Sequence, residues 1–135
     1  MHVVITGANR GIGATLSGLY AADGATVTGT SRSAEPRLDV TDPASHAAFA
    51  ASLSGQAVDL LVCNAGVFLD RGETLDGGYP ADMWAASFAT NVTGVFQTVQ
   101  SLLPNLRAAN AAKVAIISSQ MGSSTRASGT SMIYR

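Results

Sequence analysis

Three glycines near the N-terminus form the pattern with the clearest chemical meaning. Residues 6–13 read T-G-A-N-R-G-I-G, after a short apolar run at 3–5 and before an alanine-rich stretch with helical spacing. Glycines at a strand–helix junction let the backbone turn tightly and approach a diphosphate, to which the helix N-terminus presents free N–H groups. We therefore predict a phosphate-binding loop, although this motif alone also allows a tight turn without a ligand.

The elements that must position this loop alternate between apolar strands and helices. Residues 38–40 form a very short predicted strand, because the interval between Thr30 and Asp39 is too short for a crossover helix. Strands that alternate with helices pair in parallel, so we predict one α/β domain over residues 1–135. The predicted strands are 3–5, 25–30, 38–40, 58–63 and 113–118, and the predicted helices are 14–23, 42–53 and 81–109, the last bent near Gly94 or Pro104.

The composition excludes several classes of protein. Of the 135 residues, 47% are hydrophobic and 13% are charged, which is enough apolar material for a core and unlike a disordered chain. The formal net charge of −1 argues against a nucleic-acid partner. No apolar run reaches the roughly 18 residues of a membrane span, and one cysteine with two isolated histidines predicts no metal site. We expect a cytoplasmic protein, because no secretory leader pattern follows Met1.

Four motifs, in order along the chain, resemble those of the short-chain dehydrogenase/reductase family. Residues 6–13 are similar to its cofactor loop, and residues 63–66 (C-N-A-G) to its N-N-A-G motif. Residues 91–96 (N-V-T-G-V-F) and 117–122 (I-S-S-Q-M-G) are similar to its mid-helix asparagine segment and its I-S-S-x-x-G motif. The resemblance covers the whole chain. It implies a Rossmann-like, doubly wound parallel sheet in three α/β/α layers, with strand order 3-2-1-4-5 and one face incomplete.

The resemblance implies a dinucleotide cofactor, with NADP(H) favoured and NAD(H) possible. The family spacing from Gly13 places Ser31 and Arg32 at the end of the second strand, where an acid would bind NAD and repel a 2′-phosphate. No acid stands there, and Arg10 adds a second guanidinium suited to phosphate. Asp39 matches the family's adenine-contacting residue. The cofactor-binding residues implied by the resemblance are Gly7, Asn9, Arg10, Gly11, Ile12, Gly13, Ser31, Arg32, Asp39, Val40, Asn64, Ala65 and Gly66.

The resemblance also implies an oxidoreductase that reduces a small-molecule carbonyl to an alcohol, or catalyses the reverse, by hydride transfer. Tyr134 is then the general acid/base, because the developing alkoxide needs a proton donor. Ser119 orients the substrate oxygen, with Ser118 as the alternative, and Asn91 belongs to a proton relay. A homodimer or homotetramer is expected on the same ground.

The family's catalytic lysine follows the tyrosine by four residues and would therefore fall beyond Arg135. We expect the 135 residues to be part of a longer enzyme. The alternative is a non-catalytic NADP(H)-binding or regulatory module that lacks this lysine.

Overall fold

A parallel sheet of four short strands forms the centre of the computed structural model, which describes residues 1–123 and 125. The strands are β1 (His2–Ile5), β2 (Thr26–Gly29), β3 (Leu60–Cys63) and β4 (Lys113–Ile116). Their order is β2-β1-β3-β4, and every neighbouring pair is parallel. With helices between successive strands, this arrangement confirms the predicted α/β, Rossmann-like fold class.

The helices connect the strands in the expected places. α1 (Gly11–Ala22) joins β1 to β2, and α2 (Pro43–Ser52) precedes β3. Asp42 caps α2, since its side chain accepts a hydrogen bond from the Ala44 N–H at 2.9 Å, and Pro43 occupies the first helical position. A single-turn 3₁₀ helix (Gln120–Gly122) follows β4.

The predicted helix at 81–109 is divided into several pieces. α3 (Ala81–Phe88) continues into a π-helical turn (Ala89–Thr93), then into α4 (Gly94–Ser101) and α5 (Leu103–Arg107). The break before α5 lies at Leu102, two residues before Pro104. A break here is expected because proline has no backbone N–H to donate to a helical hydrogen bond.

The third predicted strand is reduced to one bridge. Ser31 pairs with Arg37 in parallel, and the Leu38 N–H donates to the Ser31 carbonyl at 2.8 Å. Residues 38–40 continue outside the sheet. The short interval after β2 explains this outcome, because it leaves no room for the helix that a full crossover requires.

The core lies on both faces of the sheet because successive strand residues point in opposite directions. Val3, Ile5 and Val62 pack beneath α1, while Val4 and Leu61 join a larger cluster on the other face. α2, α4 and α5 contribute to that larger cluster. Burial on both faces explains why the two central strands, β1 and β3, are mostly apolar runs.

Apolar side chains remain exposed along the helices after β3 and on β4. Phe88, Val92 and Phe96 follow one another at four-residue spacing, and Val114 and Ile116 are also exposed. The exposure of Val114 and Ile116, which lie on one face of β4, agrees with the expectation that one face of the sheet is incompletely covered. Within the described part of the chain, no helix has both the length and the apolar character that a bilayer crossing requires.

Candidate functional site

A cavity of about 730 Å³ opens where β1, β2 and β3 end at their carboxyl side. This is where ligands bind in open parallel sheets. Among the described residues, five segments line it: the glycine loop, the turn after β2, the residues before α2, the residues after β3 and Thr90 of the π-helical turn. The predicted cofactor-binding residues that line it are Gly7, Asn9, Arg10, Gly11, Ile12, Ser31, Arg32, Asp39, Val40, Asn64, Ala65 and Gly66.

The glycine loop has the backbone conformation that its sequence implied. Gly7 and Gly11 have φ angles of +66° and +56°, which side chains disfavour. A Cβ at Gly7 would also lie 2.9 Å from the Cα of Ala65. Gly13 is buried beneath the loop and does not line the cavity, and a Cβ there would overlap the Gly7 carbonyl oxygen. Its role is therefore to let α1 approach the loop closely.

Two polar side chains hold the glycine loop against the end of β3. Thr6 is buried, and its Oγ1 accepts hydrogen bonds from the N–H groups of Asn64 at 3.0 Å and Ala65 at 2.9 Å. In return, the Asn64 amide donates to the carbonyls of Thr6 at 2.9 Å and Gly7 at 3.1 Å. These four bonds make one rigid unit from two segments about 58 residues apart in the chain.

The start of α1 fits a dinucleotide's diphosphate. Arg10 occupies the N-cap position with an extended backbone, and its side chain makes no capping hydrogen bond. The N–H groups of the first helical turn are left for a ligand, as at other anion-binding helix termini. Because Gly7 and Gly11 also keep the loop free of Cβ atoms, a diphosphate could approach the backbone closely.

The turn after β2 presents Arg32 to the solvent-facing rim of the cavity. Ser31 is buried, and its hydroxyl accepts from the N–H groups of Ser33 at 3.3 Å and Ala34 at 3.0 Å while donating to the Ala34 carbonyl at 3.2 Å. The Ser31 hydroxyl therefore shapes the turn, and the positive charge beside it comes from Arg32.

The Asp39 carboxylate is held in a fixed orientation at the cavity wall. Its Oδ1 accepts from the Thr41 N–H at 3.0 Å and from the Thr41 hydroxyl at 2.7 Å. These bonds lower the pKa of Asp39 below its usual value; partial burial opposes them, and the charges of Arg32 and Arg37 add to them. Asp39 is therefore ionised at neutral pH.

Asn91 lies in the π-helical turn, next to the cavity-lining Thr90. Its Oδ1 accepts from the Val67 N–H at 2.8 Å, and its Nδ2 donates to the Val67 carbonyl at 3.0 Å. The side chain thus fixes the backbone that follows Gly66. π-helical turns are often found at functional sites, and the place of Asn91 in a proton relay stays a prediction.

Ser119 follows β4, as its motif implied. Its hydroxyl accepts from the Met121 N–H at 3.2 Å, and the residue is exposed together with Ser118. Tyr134 lies outside the described residues.

Cys63 is buried at the end of β3, where desolvation raises its pKa to about 11, so it acts as a small apolar side chain. Within residues 1–123 and 125, no cluster of three His, Cys, Asp or Glu side chains could hold a metal.

Sequence reasoning missed several cavity residues. Most are neighbours of residues that were predicted: Thr41 continues the segment after Asp39, and Thr90 precedes Asn91 in the same turn. Adjacency to a recognised motif is the signal that could have identified them. The missed residues are Ser33, Leu38, Thr41, Val67 and Thr90.

Comparison with known proteins agrees with the family that the motifs indicate and with the observed fold. A family model described as short chain dehydrogenase matches residues 1–132. A probable oxidoreductase from Streptomyces antibioticus is 35% identical over 138 residues; the match covers 87% of this chain and 45% of that protein. The chain therefore spans about half the length of the curated relatives it matches.

Solved structures share the fold. The NADPH-bound carbonyl reductase from chicken fatty liver superposes with a TM-score of 0.84 and 30% identity, over 99% of this chain and 67% of that one. Serine dehydrogenase from Escherichia coli superposes with a TM-score of 0.80 and 27% identity, over 91% and 63% of the two chains. Taken with the family match over almost the whole sequence, these likenesses show that the chain belongs to the short-chain dehydrogenase family of oxidoreductases.

Proposed function

We propose that this chain is the NADP(H)-binding part of an oxidoreductase that interconverts a small-molecule carbonyl and its alcohol. One observation carries the proposal: the glycine loop and the start of α1 share a single cavity with Arg10, Arg32 and the oriented Asp39 carboxylate. A diphosphate suits the helix start, a 2′-phosphate suits the two guanidiniums, and an adenine amino group suits the carboxylate.

The preference for NADP(H) over NAD(H) follows from charge at the end of β2. An acid at this point would accept hydrogen bonds from the ribose hydroxyls of NAD and would repel a 2′-phosphate. Ser31 uses its hydroxyl within the turn, and Arg32 is exposed at the rim, where its guanidinium can reach a phosphate. Since carbonyl reductase from chicken fatty liver is NADPH-bound and similar in fold, it supports this assignment.

In the proposed reaction the chain's own side chains protonate and position the substrate oxygen. When bound, the cofactor supplies the hydride for the carbonyl carbon. The Tyr134 hydroxyl donates a proton to the carbonyl oxygen as negative charge develops on it, and the Ser119 hydroxyl holds that oxygen in place. Asn91 fixes the backbone of Val67 at the cavity wall, where it would help to hold the bound cofactor.

The decisive experiment measures the Kd values of NADPH and NADH for the chain and for Arg32→Ser by calorimetry. We expect the wild-type chain to bind NADPH at least about tenfold more tightly than NADH, because an arginine–phosphate contact is a charge-assisted hydrogen bond. Arg32→Ser should remove most of that preference by weakening NADPH binding and leaving NADH binding unchanged. Equal affinity of the wild-type chain for the two cofactors would refute the preference for NADP(H).

The matched control is Arg107→Ser. Arg107 is an exposed arginine in the last turn of α5 and does not line the cavity, so its loss changes the net charge equally. An unchanged NADPH affinity in Arg107→Ser shows that the effect of Arg32 is local. NADPH oxidation with an added ketone then separates the enzyme from a binding module, because the latter binds NADPH without consuming it.

A further inference from the structure

The inner face of α2 carries one polar residue that packing alone does not require. His46, Phe49 and Leu53 follow one another at helical spacing, and all are buried, with exposed fractions of 4%, 3% and 5%. An apolar residue would suit the first position as well as it suits the other two. A buried imidazole costs free energy unless its polar atoms are used, so its hydrogen bonds indicate why it is there.

The His46 ring is bonded to the wall of the cofactor cavity. Its Nε2 lies 3.0 Å from the carbonyl oxygen of Val40, which lines the cavity. A carbonyl can only accept, so Nε2 carries the proton and donates. Nδ1 is buried and has no hydrogen-bond partner among the described residues, so the bond to Val40 is the one hydrogen bond that the ring makes there.

The same turn of α2 also binds the backbone of Asp39, the residue before Val40. The Asp39 N–H donates to the Ser45 hydroxyl at 2.9 Å. α4 also approaches this segment, so closely that a Cβ at Gly94 would lie 2.7 Å from the Val40 carbonyl oxygen. The backbone from the Asp39 N–H to the Val40 carbonyl is therefore held by hydrogen bonds to Ser45 and His46 of α2 and packs closely against α4.

We propose that His46 is a positioning residue for the nucleobase end of the cofactor site, acting through Val40 and Asp39 with the assistance of Ser45. This inference rests on the proposed dinucleotide function. The Asp39 carboxylate is the group suited to accept from an adenine amino group, and its direction depends on the backbone that His46 and Ser45 hold. If the Val40 carbonyl loses its donor, that backbone loosens, and selectivity for adenine falls.

The test compares NADPH with its reduced hypoxanthine analogue, in which a carbonyl oxygen replaces the adenine amino group. An ionised carboxylate attracts the amino group and repels the oxygen, so the wild-type chain should bind NADPH roughly tenfold more tightly than the analogue. The ratio of the two Kd values, measured by calorimetry, is a direct readout of how Asp39 is placed. A purely structural role for His46 would leave this ratio unchanged.

Two substitutions of His46 place an amide nitrogen at different distances from the backbone and form a matched pair. The amide nitrogen of His46→Gln is as many bonds from the backbone as Nε2 and can still donate to Val40. The amide nitrogen of His46→Asn corresponds to Nδ1 and falls short. We expect the Gln variant to keep the wild-type ratio and the Asn variant to lose roughly three- to tenfold of it, the worth of one buried hydrogen bond.

Two further variants keep the test decisive if His46→Asn does not fold. Ser45→Ala removes the bond to the Asp39 N–H and should lower the ratio roughly two- to threefold. Phe49→Leu perturbs the same helix face and core cluster without touching the Val40 carbonyl bond, and should lower stability while keeping the ratio.

The outcomes are distinguishable. A reduced ratio in His46→Asn and Ser45→Ala, with a wild-type ratio in His46→Gln and Phe49→Leu, supports the inference. The same ratio in every variant, or an equal loss in Phe49→Leu, overturns it. If the wild-type chain binds NADPH without discriminating against the analogue, the inference fails and the proposed function stands. If it binds neither dinucleotide, the proposed function fails as well.

Discussion

Replacing Thr6 by valine should separate the hydrogen bonds of the glycine loop from its packing. Valine matches threonine in shape but has no acceptor for the N–H groups of Asn64 and Ala65. Leaving a buried donor unsatisfied costs about 1–3 kcal/mol. Because Asn64 and Ala65 are half-buried and water can reach part of the site, we take about 1–1.5 kcal/mol for each bond, at the lower end of that range. The total loss of unfolding free energy is then roughly 2–3 kcal/mol.

The control is Thr6→Ser, which keeps the acceptor and removes one buried methyl group at a cost of about 1 kcal/mol. Urea denaturation followed by circular dichroism gives both values, provided that the slope with denaturant is unchanged. In thermal melts the valine variant should lose roughly 6–12 °C, because about 1 kcal/mol corresponds to 3–4 °C at this chain length. A valine variant as stable as the serine variant would refute the reasoning, since the two N–H groups would then not need Thr6.

Three other substitutions or reagents test further parts of the site. Gly13→Ala should weaken NADPH binding at least about tenfold in calorimetry, because the new Cβ overlaps the Gly7 carbonyl oxygen and displaces the loop; wild-type affinity would contradict this. Thr41 holds the pKa of Asp39 below its usual value, so the ionised carboxylate stabilises the fold above about pH 4, and that contribution is lost as the pH falls through the lowered pKa. Asp39→Asn should therefore lose less stability than wild type between about pH 4 and pH 2, and parallel urea midpoints over that range would count against it. Burial raises the pKa of Cys63 to about 11, so iodoacetamide should alkylate the native protein slowly and the urea-unfolded protein quickly; equal rates would show that the thiol is accessible.

The parts of the fold that were predictable are those in which the decisive residues are neighbours in sequence. The glycine spacing at residues 6–13 defines a strand–turn–helix unit by itself, because the φ angles and the close approach belong to one short segment. Asp42 and Pro43 mark the start of α2 for the same reason. The strand at residues 38–40 failed as a prediction, because a strand needs a partner at the right distance and the short connection after β2 gives it one bridge.

The candidate site also divides into features that the sequence predicts and features that it does not. The sequence indicated most residues around the cavity, from Gly7 to Gly66, because they belong to or follow short motifs that resemble those of the family. It did not indicate that the Ser31 hydroxyl closes its own turn, or that the side chain of Asn91 bonds to the backbone of Val67. Those partners depend on which segments fold against each other, and local sequence patterns do not encode that contact.

By itself, the sequence determined the class of fold, the glycine loop and the family to which the chain belongs, because these follow from short motifs and their order. The tertiary structure decided which groups hold that loop and the cavity wall. Thr6 meets Asn64 across two adjacent parallel strands, and the Val40 carbonyl lies between His46 of α2 and Gly94 of α4. Such contacts join residues far apart in the chain, and they form only when the sheet has set the distance between its helices.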